Sequence, residues 1–336
     1  MAVNVAISGF GRIGRLVLRS IIESKRKDIN VVAINDLAPV DTNAFLLAND
    51  TVHGPLNEKI SVKKNKMTIG RKTISVLNER DPQKLPWKKM KIDVALECTG
   101  LFTSKEKASM HIKAGAKKVL VSAPCSEADK TIVYGVNEQE ITRNDLVVSN
   151  ASCTTNCLAP VVKVLHEKFG IVHGYMTTIH AFTGDQSVLD TFHPDLRRAR
   201  AASMSMIPTS TGAAKAVGLV MPELSGKLDG TAIRVPTPNV SLIDFKFVSK
   251  KTMKVESVNK AMTAASRSNK LKGILNVNSE PLVSSDFNHN PASSNFDLTQ
   301  TQVIDGKFGR VLSWYDNEWG FSNRMCDTAV AMKRSK

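Results

Sequence analysis

Apolar residues in the first half of the chain form short continuous runs, separated by stretches with helical spacing. The short runs predict buried strands over residues 3–7, 31–34, 92–96, 118–121 and 146–148. The stretches between them predict helices, one of which covers residues 104–114 and ends at Gly115. Strands that alternate with helices indicate an α/β domain with a mostly parallel, doubly wound sheet.

The second half of the chain follows a different pattern. Apolar residues recur at helical spacing to residue 169, and alternating, strand-like runs then appear at 175–179, 231–236 and 240–248. Long alternating strands predict a mixed or antiparallel sheet, with one face buried and one polar. We therefore expect two domains: residues 1–151, completed by a C-terminal helix at 318–336, and a separate α+β domain over 152–317.

A glycine motif follows the first predicted strand. Gly9, Gly11 and Gly14 are spaced G-x-G-x-x-G and lead directly into a helical pattern. In a dinucleotide-binding Rossmann domain the first glycine makes a tight turn, the second admits a pyrophosphate and the third allows helix–strand packing. Arg12 and Ile13 would supply main-chain amides where that pyrophosphate binds.

The second strand ends near Asp36, at the position where such domains hold an acidic residue. Its carboxylate would accept hydrogen bonds from ribose hydroxyls and repel a 2′-phosphate, which favours NAD over NADP. A turn residue is the alternative interpretation of Asp36. Arg80 could reach the adenine end of a dinucleotide, although a surface arginine is the simpler explanation.

Cys153 lies in a run of helix-capping residues between a predicted strand and a predicted helix. Asn150 or Ser152 can cap that helix, leaving the thiol in its first turn. Main-chain amides and the helix dipole would stabilise a thiolate, so we expect a lowered pKa and a nucleophile. A buried, unreactive cysteine is the alternative. Zinc is not expected, because Cys153 and Cys157 have no second ligand pair.

Several polar residues beyond Cys153 are candidates for chemistry. His180 follows a predicted strand and could take a proton from the thiol. Thr211 and Gly212, predicted to open a helix, could bind phosphate there, and Arg198 and Arg234 could clamp phosphate. Each of these has a structural alternative, as a core histidine, a helix cap or a surface ion pair.

Composition narrows the class of protein. The chain of 336 residues has no apolar run near the ~20 residues of a membrane span, and its beginning does not look like a signal peptide. Five cysteines without disulfide-framework spacing suit the cytoplasm. A net charge of +15 could attract nucleic acid, but aromatic residues make up only 5% of the chain, so we do not expect nucleic acid as the primary partner.

Six motifs in order resemble those of one family over essentially the whole chain. They are typical of phosphorylating, NAD-dependent glyceraldehyde-3-phosphate dehydrogenases of the bacterial type. The motifs occupy residues 9–15, 33–36, 149–157, 207–215, 234–240 and 313–318.

The resemblance implies a role for each candidate residue. Cys153 would attack the aldehyde of glyceraldehyde 3-phosphate, and His180 would act as general base. The other implied contacts are the substrate phosphate at Thr183 and Arg234, the attacking inorganic phosphate at Ser152, Thr154, Arg198, Thr211 and Gly212, the nicotinamide carboxamide at Asn317, and other parts of NAD at Gly9, Gly11, Arg12, Ile13, Asp36, Arg80 and Ser122. The resemblance also implies a homotetramer in which residues 181–206 reach a neighbouring subunit.

Two positions depart from the family pattern. Ser8 stands where the family commonly has asparagine, a small change beside the phosphate turn. Thr191-Phe192 replaces a Leu-Pro pair that in the family lies near the adenosine ribose across the subunit interface, so this change bears on the exclusion of NADP, which Asp36 still favours. Two alternative functions remain at this point. One is oxidation of erythrose 4-phosphate, which the intact phosphate loop at 210–215 disfavours; the other is binding of nucleic acid or a surface through the basic charge.

Overall fold

A computed structural model describes residues 2–335. The chain divides into two compact units, Met1–Ala151 with Ser322–Lys336 (unit 1) and Ser152–Phe321 (unit 2). No helix among the described residues is both long and apolar enough to cross a bilayer.

Unit 1 is built on short strands and amphipathic helices. Its strands are β1 Val3–Ser8, β2 Ile29–Asn35, β3 Asn49–Asp50, β4 Gly54–Pro55, β5 Ile60–Lys63, β6 Lys66–Ile69, β7 Lys72–Leu77, β8 Val94–Glu97, β9 Lys118–Val121, β10 Lys130–Thr131 and β11 Val147–Ser149. Its helices are α1 Arg12–Glu23, α2 Val40–Ala48, α3 Lys105–Ala108 and α4 Met110–Lys113, with 3₁₀ turns at Pro82–Lys84 and Glu138–Glu140.

Nine of these strands form one sheet in the order β10-β11-β9-β8-β1-β2-β7-β6-β5. The pairs from β10 to β7 are parallel, and β5, β6 and β7 form an antiparallel edge. The central strands β1, β8 and β9 are almost wholly buried, as expected of a parallel sheet covered on both faces. Because these strands are parallel, their carboxyl ends meet at one edge of the sheet, where such sheets bind ligands.

The helix predicted over 104–114 is two helices, α3 and α4. Ser104 caps α3 by accepting a hydrogen bond from the Lys107 amide, and Ser109 lies between the two helices. The Ser109 hydroxyl donates to the Lys105 carbonyl at 2.6 Å. The Ser109 amide also donates to this carbonyl, at 2.9 Å, so the main-chain and side-chain groups of Ser109 share one acceptor where α3 ends.

Unit 2 has longer strands. They are β12 Ile171–Ala181, β13 Ile207–Ser210, β14 Leu228–Val235, β15 Ser241–Ser249, β16 Leu275–Asn278, β17 Ser294–Ile304 and β18 Phe308–Tyr315. The helices are α5 Cys153–Phe169, α6 Val217–Val220 and α7 Val255–Ser266, with 3₁₀ turns at Pro222–Leu224 and Ser284–Phe287; α8, Trp319–Arg334, begins in unit 2 and continues into unit 1.

These seven strands form one mixed sheet in the order β13-β14-β12-β15-β18-β17-β16. The β12–β14 and β16–β17 pairs are parallel and the others antiparallel. Strand β15 alternates strictly between buried and half-buried positions, so one face packs into the core. The predicted fold class, a doubly wound α/β domain with a second α+β domain on a mixed sheet, is confirmed.

Candidate active site

A cavity of about 360 Å³ lies at the carboxyl edge of the unit 1 sheet. Four of the predicted cofactor residues line it: Gly9, Gly11, Asp36 and Arg80. The loop after β8 closes another side with Cys98, Thr99, Leu101 and Phe102. The cavity therefore lies at the predicted position, where the first βα turn meets the end of β2.

The glycines of the motif have different physical reasons to be glycine. Gly9 has φ +86°, and a Cβ there would stand 2.6 Å from the Thr99 main-chain nitrogen. A Cβ on Gly14 would stand 2.1 Å from the Gly9 carbonyl oxygen. A Cβ on Gly11 would meet no protein atom within 4 Å, although this residue lines the cavity. The protein itself thus requires Gly9 and Gly14, whereas Gly11 leaves space that a ligand can fill.

Asp36 holds the turn that carries the glycines. Its carboxylate accepts hydrogen bonds from the amides of Phe10 (2.7 Å) and Ala38 (2.9 Å). The two interpretations of Asp36, a turn residue and a cavity residue, are therefore both compatible with its position. A negative charge fixed in this cavity suits ribose hydroxyls better than a phosphate group.

The remaining cofactor candidates of unit 1, Arg12, Ile13 and Ser122, do not line this cavity. Arg12 and Ile13 are in the first turn of α1, whose N-cap is Gly11, and the Arg12 guanidinium pairs with Asp50 at 2.6 Å. The main-chain amide of Arg12 therefore lies at the helix N-terminus, where it can bind a ligand, whereas the guanidinium is paired with Asp50. Ser122 directly follows β9 and donates its amide to the Glu97 carbonyl at 2.9 Å.

In unit 2, Cys153 is the first residue of α5, as the sequence predicts. Ser152 is the N-cap, and its hydroxyl accepts a hydrogen bond from the Thr155 amide at 3.0 Å. The side chain of Cys153 points towards strand β12, where its Sγ lies 3.5 Å from His180 Nε2. The structure therefore brings the predicted nucleophile and the predicted base into direct contact.

His180 lies near the end of β12 and is paired in register with Arg234 on β14. His180 Nδ1 is 2.7 Å from the Ala181 carbonyl oxygen and 2.6 Å from Arg234 Nη1, which also donates to that carbonyl at 3.0 Å. The two contacts of Nδ1 exclude each other, because a ring N–H cannot accept from the guanidinium. Nε2 has a lone pair for the thiol proton only in the tautomer whose Nδ1–H donates to Ala181.

The expected lowering of the Cys153 pKa was wrong. Burial raises the pKa of this thiol, and the opposing effects of the Arg234 charge and of the Thr154 main-chain amide are smaller. Burial, and then the Arg234 charge, lower the pKa of His180 to about 3. The resting pair is therefore a neutral thiol beside a neutral imidazole, so activation needs proton transfer to His180.

Arg234 has unused hydrogen-bonding capacity. Its Nε is buried and has no hydrogen-bond partner among residues 2–335. A buried donor without a partner is costly, and an oxyanion would satisfy it. Thr183, the other predicted substrate-phosphate residue, is half-buried in the loop after β12, and its amide donates to Gln186 Oε1 at 2.9 Å.

Hydrogen bonds link Ser152, through Thr155, and Arg198 to the two ends of the loop that carries Thr211 and Gly212. Ser152 contacts Thr155 at 2.8 Å, and the Thr155 hydroxyl donates to the Ala213 carbonyl in the loop after β13. Arg198 donates to the Ser210 carbonyl at the other end of that loop and pairs with Asp185 at 2.6 Å. The candidates thus share one region, and Asp185 is an anionic competitor for Arg198.

The loop that carries Thr211 and Gly212 does not open a helix, so this prediction was wrong. The Thr211 hydroxyl accepts from the Ala213 amide at 3.2 Å, and a succession of turns follows until α6 begins at Val217. A phosphate at Thr211 would therefore meet loop amides and a hydroxyl. The same composition that makes a good helix cap also makes a good turn.

Thr154 is buried, and its side chain points into the core. The Thr178 hydroxyl donates to the Leu242 carbonyl, so the Tyr315 hydroxyl between them must donate to Thr178 (2.9 Å) and accept from Thr154 (2.8 Å). The main chain of Thr154 is consequently the part that can serve the site. Sequence reasoning missed Tyr315 as a link between α5 and β12, and no local pattern marks it.

Asn317 follows β18 and is 5% exposed. Its Oδ1 accepts a hydrogen bond from the Ser241 hydroxyl at 2.9 Å. The amide nitrogen Nδ2 is then the part of this side chain that can donate to a ligand.

Comparisons with known proteins match two parts of the chain to one family. Residues 3–105 match the family profile "Glyceraldehyde 3-phosphate dehydrogenase, NAD binding domain", and residues 152–317 match "Glyceraldehyde 3-phosphate dehydrogenase, C-terminal domain". The chain is 65% identical over 332 residues to glyceraldehyde-3-phosphate dehydrogenase of Xanthobacter flavus, and 62% identical over 334 residues to that of Cereibacter sphaeroides. Each alignment covers 99% of both chains.

A third relative, the plasmid-encoded glyceraldehyde-3-phosphate dehydrogenase of Cupriavidus necator, is 59% identical over the full length of both chains. Identity at this level over whole chains, together with matches to both domains, establishes the family. This chain belongs to the glyceraldehyde-3-phosphate dehydrogenase family.

Proposed function

We propose that the chain oxidises glyceraldehyde 3-phosphate and phosphorylates the product to 1,3-bisphosphoglycerate, with NAD as cofactor. The observation that carries this proposal is the contact between Cys153, at the start of α5, and His180, near the end of β12, whose Sγ and Nε2 atoms are 3.5 Å apart. Beside them lies Arg234, whose buried Nε has no hydrogen-bond partner among residues 2–335. A thiol, a neutral imidazole and an anion site next to each other suit a phosphorylated aldehyde.

In the first step the Cys153 sulfur attacks the aldehyde carbon while its proton passes to His180 Nε2. The proton returns to the carbonyl oxygen, giving a thiohemiacetal. His180 then takes the hydroxyl proton as the C–H bond breaks, which leaves a thioester on Cys153. The chemistry that NAD would supply, when bound, is acceptance of the hydride from that bond. Inorganic phosphate finally attacks the thioester carbon and gives up its own proton to solvent. The Cys153 sulfur leaves and takes back the proton that His180 holds, which restores the neutral thiol and the neutral imidazole.

Each anion has its own proposed residues. Arg234 and Thr183 hold the substrate phosphate, and when Arg234 turns to that phosphate, His180 Nδ1 keeps Ala181 as its partner. Ser152, Arg198, Thr211, Gly212 and the main chain of Thr154 hold inorganic phosphate. Asn317 holds the nicotinamide carboxamide, and Gly9, Gly11, Arg12, Ile13, Asp36, Arg80 and Ser122 serve the rest of NAD.

Steady-state turnover with two aldehydes tests this function. We expect efficient NADH formation from glyceraldehyde 3-phosphate only when inorganic phosphate is present, and much weaker turnover of erythrose 4-phosphate. A preference for erythrose 4-phosphate, or full turnover without phosphate, would contradict the proposal.

We further propose that the protein is a homotetramer of the cytoplasm. Large apolar side chains are exposed in the segment after β12, namely Val188, Leu189, Phe192, Leu196, Met204 and Met206. Exposed apolar surface on this scale is typical of a protein interface. All five cysteines are free thiols, as suits a reducing compartment. Light scattering on the purified protein would give the oligomeric state, and a monomeric mass would contradict the tetramer.

A further inference from the structure

Ser241 links two functional parts of unit 2 through one hydroxyl. It is the first residue of β15 and is 1% exposed. The Ala181 amide, at the end of β12, donates to Ser241 Oγ at 3.0 Å. Ser241 Oγ in turn donates to Asn317 Oδ1 at 2.9 Å.

The two hydrogen bonds of Ser241 use different parts of its hydroxyl group. The Ala181 N–H can only donate, so the Ser241 oxygen accepts it, and the single hydroxyl proton goes to Asn317 Oδ1. Rotation of the Asn317 amide by 180° would replace this acceptor by an NH₂ group and leave the buried hydroxyl proton without it. The hydroxyl therefore favours the orientation in which Oδ1 faces Ser241.

This orientation decides what Asn317 can recognise. With Oδ1 held by Ser241, Nδ2 is the donor for a ligand, and the matching group on a carboxamide is its oxygen. The same hydroxyl also pins the main chain at Ala181, whose carbonyl is the partner of His180 Nδ1 at 2.7 Å. Ser241 is thus hydrogen-bonded both to Asn317, which is proposed to bind the nicotinamide carboxamide, and to the main chain of Ala181, whose carbonyl contacts the proposed base His180.

We infer that Ser241 is a positioning residue that sets the amide orientation of Asn317, and through it the face of the nicotinamide ring offered to the substrate. The inference rests on the proposed role of Asn317. It predicts that loss of the hydroxyl harms cofactor geometry more than it harms the fold.

Ser249 provides a matched control at the other end of the same strand. It is also buried, and its hydroxyl donates to the Lys251 carbonyl at 2.7 Å. Ser241→Ala and Ser249→Ala each remove one buried hydroxyl from β15, so their unfolding temperatures should fall by similar amounts. A general effect of losing a buried serine would appear equally in both variants.

The experiment uses the full chain, with Ser241→Ala, Ser249→Ala, the hydroxyl-retaining Ser241→Thr, and Asn317→Ala. Two readouts are measured: the Kd for NAD without substrate, and the face of the ring that receives deuterium from glyceraldehyde 3-phosphate deuterated at C1. For Ser241→Ala we expect a Kd about tenfold higher, as for a lost hydrogen bond, and deuterium on both faces. Ser249→Ala should match the parent chain, and Ser241→Thr should restore transfer to one face.

The possible outcomes distinguish a failure of the Ser241 inference from a failure of the proposed role of Asn317. If Asn317→Ala changes both readouts but Ser241→Ala changes neither, Ser241 is not a positioning residue. An equal change in Ser249→Ala would also overturn the inference. If Asn317→Ala itself changes neither readout, the proposed role of Asn317 fails, and the inference fails with it.

Discussion

The cavity of unit 1 and the thiol site of unit 2 are built in opposite ways. The cavity depends mainly on backbone: a positive φ at Gly9, open space at Gly11 and a carboxylate that fixes two amides. The thiol site consists of side chains, with Cys153, His180 and Arg234 contributed by α5, β12 and β14. Unit 1 should therefore be sensitive to added atoms, and unit 2 to the loss of single functional groups.

The largest expected effect is the loss of the Cys153 sulfur. Cys153→Ser should lower kcat by about 10³-fold or more, because an alcohol is a far weaker nucleophile at neutral pH. NAD should still bind to this variant with nearly unchanged Kd, since the cavity residues of unit 1 are intact. Stopped-flow turnover and an NAD titration would check both expectations.

Cys157 offers a control for this substitution. It is fully buried, and burial raises the pKa of its thiol to about 12, so we do not expect it to act as the nucleophile. Cys157→Ser should retain most of the turnover and lose some stability. Substantial turnover by Cys153→Ser, or an equal loss in Cys157→Ser, would place the nucleophile elsewhere.

Two glycines test whether backbone space defines the cavity. Gly9→Ala should reduce the free energy of unfolding by about 2–4 kcal/mol, because of its positive φ and the contact with Thr99. Gly11→Ala should unfold like the parent chain, since its Cβ meets no protein atom and its φ is −71°. It should nevertheless bind NAD about tenfold more weakly, because the methyl group occupies the space of the pyrophosphate.

Thermal unfolding and calorimetric titration separate these two effects. Wild-type NAD affinity in Gly11→Ala would show that the pyrophosphate does not approach this residue. Native stability in Gly9→Ala would show that the turn can relax around a side chain.

The same contrast explains how much could be predicted from the sequence. The glycine turn and the capped start of α5 depend on neighbouring residues, and the sequence predicts both. The contact between His180 and Arg234 depends on the register of β12 against β14, which no local pattern specifies. The Cys153 pKa was mispredicted for a related reason, because burial is a property of the folded chain and outweighs the local effect of the helix end.

A substitution of Asp36 tests the cavity of unit 1 with a smaller expected effect. Asp36→Asn should lower the preference for NAD over NADP about tenfold in kcat/KM, because the repulsion of a 2′-phosphate is removed. Asp41→Asn, on the exposed first turn of α2, makes the same change in net charge and serves as control. An unchanged preference in Asp36→Asn would assign this carboxylate to the turn alone.

Arg234 gives the smallest expected effect, on the reactivity of Cys153 in the ligand-free protein. The Arg234 charge lowers the pKa of Cys153 against the larger raising effect of burial, so Arg234→Gln should raise that pKa further. At pH 7 a smaller fraction is then thiolate, and alkylation by iodoacetamide should be about threefold slower, with its pH profile displaced to higher pH. Arg234→Lys keeps the charge and should stay close to the parent profile.

His180 should not disturb this measurement. Because burial is the largest cause of its low pKa, His180 stays neutral in both variants, and the displacement of the pH profile reports the pKa of Cys153. Faster alkylation in Arg234→Gln would mean that the guanidinium restrains the thiol through His180 instead of stabilising its anion.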